Sequence, residues 1–141
     1  AHNRLWATVR DALRPYGKIE RVENLLNVGW ADCLYCFKGR SGVIELKYTP
    51  AWPARAATPL WLRDLTPAQV LNLEDWQRAG MGAWLLVQVG DEYLLLRPAT
   101  ALAVLDRCLS RDGLYMNAAV KAKGSFPTIQ IMRAILGNQN S

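Results

Sequence analysis

The sequence predicts an α/β chain (α+β is the alternative it leaves open): a mixed sheet flanked by helices. Three observations carry this expectation. Residues 18–48 read as three successive strands separated by turn residues. A well-capped amphipathic helix opens at Thr66. Two further apolar strands, 83–88 and 92–96, follow it, with helical spacing on both outer flanks of the chain.

Taken in order, Leu5, Trp6, Val9 and Leu13 recur at helical spacing, predicting a first helix over 3–13 with Asn3 as N-cap. Pro15 and Gly17 stop it. Residues 18–26 alternate as a strand, Asn27-Val28-Gly29 makes a turn, and 32–37 forms a second strand. Lys38-Gly39-Arg40-Ser41-Gly42 supplies hairpin chemistry leading into Val43-Ile44-Glu45-Leu46-Lys47-Tyr48. Tyr48 to Leu65 holds three prolines, Trp52 and Trp61, Arg55 and Arg63, and reads as a long loop. Its aromatics either stack on bases or tuck back as anchors, and the sequence does not choose. Thr66 as N-cap, Pro67 at the first helical position and Gln69 at the capping-box position open a helix to about Arg78, with Val70, Leu73, Trp76 and Gln77 marking its inner side and flank. A further helix is expected over 100–109, a small basic turn at Lys121, Lys123 and Gly124, a last short helix over 128–136, and a fraying tail at 138–141.

Composition narrows the function. The 141 residues carry 51% hydrophobic and 21% charged residues, enough apolar side chain for a core, which excludes a disordered chain. With no repeat or linker, residues 1–141 are expected to form one domain. The longest apolar runs, such as 83–87, are too short to span a bilayer, and no signal-peptide pattern opens the sequence, so neither membrane nor export is expected. A net charge of +5, mostly from an excess of arginine, favours a polyanionic partner, nucleic acid before membrane. Three cysteines cannot all pair, which points to reduced thiols and a cytoplasmic setting. Cys33 and Cys36 have the spacing of half a zinc site, but the other half is missing, and in a strand the two point to opposite faces; ordinary buried cysteines are expected. The lone His2 near the start argues against a Ser-His or Cys-His nucleophile, and no Gly-x-x-x-x-Gly-Lys phosphate loop is present.

The chemistry concentrates between Asp32 and Lys47. On a strand, Val43, Glu45 and Lys47 share one face, while Ile44, Leu46 and Tyr48 share the other, apolar enough for a core. A short hairpin brings Asp32 opposite Glu45, so two acids can hold a divalent metal with an ammonium beside them. Such a trio suits hydrolysis of a phosphodiester. The same Glu-x-Lys spacing also occurs on ordinary solvated strands as a weak ion pair.

Gly29-Trp30-Ala31-Asp32, Ile44-Glu45-Leu46-Lys47, Leu65-Thr66-Pro67-Ala68-Gln69 and Gly80 before a buried strand resemble, in this order, the PD-(D/E)XK nuclease superfamily. The nearest branch is the VRR-NUC and Holliday-junction-resolvase-like group, including small phage-encoded nucleases. The resemblance covers about Lys18 to Leu96. It implies a restriction-endonuclease-like mixed central sheet, Mg²⁺ or Mn²⁺ held by Asp32 and Glu45, Lys47 assisting the attacking water and the phosphate, and Gln69 as an extra helix residue at the site. The family's upstream acid usually comes from the first helix, which here offers Asp11; Glu23, or Glu20, on the adjacent strand is the expected substitute. Ala31 stands where the family usually has proline. The partner implied is DNA, contacted by Lys47, Arg55 and Arg63, with a junction's near two-fold symmetry suggesting a homodimer. A phage-encoded protein would act in the host-cell cytoplasm. With no recognition helix in view, a metal-dependent endonuclease directed by branched or junction DNA structure is expected. The alternative is a binding or assembly module of the same fold in which the metal chemistry is unused.

Overall fold

The computed structural model describes residues 2–22 and 29–137. Strands β1 (Lys18–Arg21), β2 (Cys33–Phe37), β3 (Arg40–Thr49), β4 (Gly82–Val89), β5 (Glu92–Leu96) and β6 (Val120–Lys123) form one sheet in sequential order. Only β3 and β4 run parallel; every other neighbouring pair is antiparallel. The sheet is therefore mixed, as the sequence predicts. Helices α1 (His2–Leu13), α2 (Pro67–Arg78), α3 (Pro98–Leu105), α4 (Arg111–Asn117) and α5 (Thr128–Leu136) complete the α/β architecture.

Alternation along the central strands separates two apolar layers. Ile44 and Leu46 on β3, Trp84 and Leu86 on β4, and Tyr93 and Leu95 on β5 pack with Leu5, Trp6, Val9 and Leu13 of α1 and Ile131, Met132 and Ile135 of α5. Val43, Leu85, Val87, Leu94 and Leu96 face the other way, toward Val70 and Leu73 of α2, Ala101 and Val104 of α3 and Leu114 of α4. Burial on both faces is why β4 and β5 read as continuous apolar runs rather than alternating ones. Each buried leucine contributes about 1.5–3 kcal/mol of transfer free energy to holding these layers.

Local chemistry sets the turns. Lys38 and Gly39 both take positive φ, 51° and 79°, the two-residue turn whose twist matches a tight β2–β3 hairpin. Gly42 and Gly82 pair across β3 and β4, and the Tyr35 ring lies over both: a Cβ would meet its hydroxyl at 2.1 Å and 2.3 Å. Trp84 Nε1 donates to that hydroxyl at 3.0 Å, fixing the ring over the glycine pair.

Several expectations need correction. The helix begins at His2, so Asn3 lies inside it rather than capping it. The first strand stops at Arg21, and the continuation predicted to residue 26, with the turn at 27–28, falls outside the described residues, as does the tail 138–141. Tyr48 is 37% exposed because it sits near the end of β3, beyond the reach of the covering helices. Cys36 and Cys108 are exposed thiols rather than buried ones; only Cys33 is buried, and all three are free. Gln77 is exposed. The helix placed at 100–109 runs from Pro98 to Leu105, and the basic turn around Lys121 is instead edge strand β6, preceded by α4. No helix among the described residues is long and apolar enough to cross a membrane.

Candidate active site

The β2–β3 register carries Asp32 to the site. Cys33 pairs with Ile44, so Asp32, one residue before the ladder begins, falls opposite Glu45. Beyond that last rung the N–H of Leu46 is met by a side chain: it donates to Asp32 Oδ2 at 2.8 Å. That bond fixes the Asp32 carboxylate against the backbone between Glu45 and Lys47, in contact with the Glu45 carboxyl.

Glu45 and Lys47 share the α2-facing side of β3, yet both are buried, with only 3% and 9% of their side chains exposed. Lys47 Nζ lies 3.3 Å from Glu45 Oε2 and donates to the backbone carbonyl of Asp64 at 2.8 Å. The loop between β3 and α2 therefore closes over the strand and aims the ammonium. Glu45 Oε1 is different: with Asn72 Oδ1 it is one of two buried side-chain oxygens among the described residues that lack a hydrogen-bond partner. Burial pushes the Glu45 carboxyl up to about 8, and the Asp32 charge adds to that against the opposing pull of Lys47. Two acids in contact, one of them with an orphaned oxygen, form a cradle short of positive charge.

These donors fit a hard divalent cation, which takes carboxylate oxygens and offsets the mutual repulsion of the two acids. Among the described residues no group of three or more acids, histidines or cysteines is assembled, so Asp32 and Glu45 are the two acids brought together there. Glu23, the expected third acid, lies outside the described residues. Its two substitutes are placed elsewhere. Glu20 is exposed and paired with Arg14 and Lys18. Asp11 is paired with Arg10 on α1, across the sheet from Glu45, because α1 covers the Ile44–Leu46 face.

Gln69 is held by the helix cap. Its amide oxygen accepts from Thr66 N at 3.0 Å, while its own N–H donates to Thr66 Oγ1 at 3.2 Å, completing the capping box. Gly29, at φ 92°, leaves no room for a Cβ against Ala68, so the segment leading into Asp32 lies on the first turn of α2. The capping bond uses the oxygen of Gln69 and leaves its NH₂ group outside the box. Arg55 and Arg63 are both exposed on the loop. Arg63 rests over the Trp61 ring at 4.6 Å.

Sequence reasoning missed two contributors, the Asp64 carbonyl and Arg107. The Asp64 carbonyl is a backbone group and carries no side-chain signal. Trp61 stays 47% exposed while its neighbours Leu60 and Leu62 are buried, and Arg107, from beyond α3, reaches its ring at 3.9 Å. Trp52 takes the opposite course, edge-on to Tyr115 and bonded to Glu92. Trp52 takes the anchoring course offered for the loop tryptophans, and Trp61 stays exposed.

No family model matches the chain, and no curated protein matches it. Among solved structures, Hjc from Archaeoglobus fulgidus, a Holliday junction resolvase from an archaeal hyperthermophile, is similar with a TM-score of 0.52 and 17% identity, over 69% of this chain and 77% of that one. The chain shares that resolvase's fold. At this identity the likeness is one of architecture, and the case for chemistry has to come from the side chains.

Proposed function

We propose that the protein is a metal-dependent DNA endonuclease of the PD-(D/E)XK type, acting on branched or junction DNA. The observation that carries this reading is the cradle itself: Asp32 and Glu45 in contact, Glu45 Oε1 buried without a partner, and the Lys47 ammonium 3.3 Å from the same carboxylate. The resolvase-like fold supports it, because it presents that cradle on a rigid central strand.

Asp32 and Glu45 would hold Mg²⁺ or Mn²⁺, with Glu23 the candidate for a further ligand. When bound, the ion would supply Lewis acidity to the phosphodiester and lower the pKa of an attacking water. The chain's own part is positional. The Leu46 N–H holds Asp32, and the Asp64 carbonyl holds the Lys47 ammonium, which would meet the charge developing on the phosphate. Gln69, at the start of α2, would orient water or phosphate through its NH₂ group while its oxygen keeps the cap. Arg55 and Arg63 would neutralise DNA phosphates and make binding salt-sensitive. Resolution of a near-symmetric junction calls for a homodimer with two such sites, and the motif pattern favours the VRR-NUC and resolvase-like branch, phage proteins included.

The test is cleavage of labelled linear duplex, single-stranded, flap and four-way-junction DNA with Mg²⁺, Mn²⁺ or EDTA, beside Glu45→Ala and Lys47→Ala. Metal-dependent cutting of branched DNA, absent in both variants, is expected. Tight DNA binding by the intact protein with no cutting under any metal would replace this reading with a binding module.

A further inference from the structure

A cavity of about 370 Å³ opens beside Lys47, lined among others by Thr49, Pro50, Trp61, Arg63 and Asp64. That volume is at the small end of small-molecule sites, room for one nucleotide-sized group and far too narrow for a duplex. Its wall is unusual. The run Leu60-Trp61-Leu62 alternates in, out, in, so the two leucines anchor the loop in the α2-side core and hold the indole in solvent. Two guanidinium groups converge on that ring, Arg63 at 4.6 Å and Arg107 at 3.9 Å. Arg107 does so from a positive φ of 56°, a conformation uncommon for a residue with a side chain. Arg63 and Trp61 line the cavity while Arg107 backs the ring, so a guanidinium and an exposed aromatic stand together there, a pairing that suits an anion and a flat partner.

We infer that this cavity takes an unpaired nucleotide next to the reacting phosphate, with its base stacked against the Trp61–arginine platform and its phosphate met by Arg63, while Arg107 braces the indole. The inference rests on the nuclease reading above for the position of the reacting phosphate. Lys47 lines the cavity and also touches Glu45, so the two sites share a wall. Aromatic and guanidinium planes accept any base, because every base has a π-face, and so give preference for unpaired DNA without reading sequence. A fully paired duplex keeps its bases stacked and cannot fill the cavity. Preference for branched DNA then arises from Trp61.

The experiment measures equilibrium binding by fluorescence anisotropy in EDTA, using a blunt duplex and the same duplex carrying a short single-stranded branch. The intact protein should bind the branched DNA about 10-fold or more tightly than the blunt one, a preference of the size expected for base stacking on an aromatic ring. Trp61→Ala should lose most of that preference while its affinity for blunt duplex stays within about twofold, and Trp61→Phe should keep it. No preference in the intact protein, a preference retained by Trp61→Ala, or an equal loss on both DNAs would overturn the pocket. Cleavage with Mg²⁺ or Mn²⁺ separates the two readings. A Trp61-dependent preference without cutting sinks the nuclease and leaves the pocket standing. Metal-dependent cutting whose choice of substrate is unchanged in Trp61→Ala does the reverse.

Discussion

Glu45 on β3 and Glu92 on β5 face the same side of the same sheet, and both are buried. Glu92 is fully served: Trp52 Nε1 donates to one oxygen, and the Tyr115 hydroxyl and the Arg111 guanidinium, the latter at 3.3 Å, donate to the other. Burial alone would raise its pKa, but the hydrogen bonds from Tyr115 and Trp52 and the charge of Arg111 outweigh it, holding the carboxyl below its ordinary value. Glu45 has Lys47 on one oxygen, nothing on the other, and a second acid against it. A native fold satisfies a buried carboxylate when the residue's task is structural. Where it does not, a carboxylate in a cleft beside a second charged group is a candidate binding site. Glu92 ties the loop tryptophan to α4; in the proposed function Glu45 holds a cation.

The largest test of this contrast is the pair of Gln variants. Glu45→Gln should reduce cleavage by about 100-fold or more, on the scale of losing a group that stabilises transition-state charge. Glu92→Gln should leave cleavage near normal. Specific activity on junction DNA checks both, and equal losses would break the comparison. On stability the order inverts. Glu92→Ala leaves the donors of Trp52 and Tyr115 without their acceptor and should cost about 2–4 kcal/mol in denaturant unfolding. Glu45→Gln in EDTA at alkaline pH should stabilise the fold, because it removes a buried charge that lacks a full set of partners.

The pH dependence of metal-free stability sharpens the same point. Glu45 binds its proton more tightly folded than unfolded, so its contribution is fully present below the ordinary carboxylate pKa and is lost as pH rises through about 8. Glu92, with its pKa lowered, contributes above the ordinary value and loses that contribution as pH falls. Unfolding midpoints in EDTA should therefore decline on the way to pH 8, and added Mg²⁺ should restore them by replacing the proton. A flat profile up to pH 9 with no response to Mg²⁺ would contradict the cradle. The smallest effect belongs to Gln69. Gln69→Ala removes half of a capping box and should cost about 0.5–1 kcal/mol. A fall in cleavage out of proportion to that loss would give Gln69 a part in the chemistry besides the cap.

What could be read from the sequence follows a physical division. The α2 start was legible to the residue because Thr66, Pro67 and Gln69 act within one turn of each other. The β2–β3 hairpin was legible from Lys38-Gly39-Arg40-Ser41-Gly42, but the structure narrows the turn to Lys38-Gly39, starts β3 at Arg40 and fixes the register that sets Asp32 opposite Glu45. Strand β6 was not. It is four residues at a sheet edge with one buried side chain, Val120, followed by Lys121 and Lys123, and edge strands carry little apolar pattern. Helix α4 was hidden by its seven-residue length and by Gly113 within it.

The sequence by itself determined the order of the elements from α1 to α3, the helix cap and the meeting of two carboxylates with a lysine, because each depends on neighbours in the chain or on counting across a short turn. The tertiary structure decided the rest. It set the ionisation of Glu45, which answers to desolvation. It aimed Lys47 with a carbonyl seventeen residues away in the chain. It packed a half-buried Trp52 against Glu92 and left Trp61 in solvent under two arginines. Those outcomes depend on which distant segments exclude water from which side chains, and no local pattern encodes that.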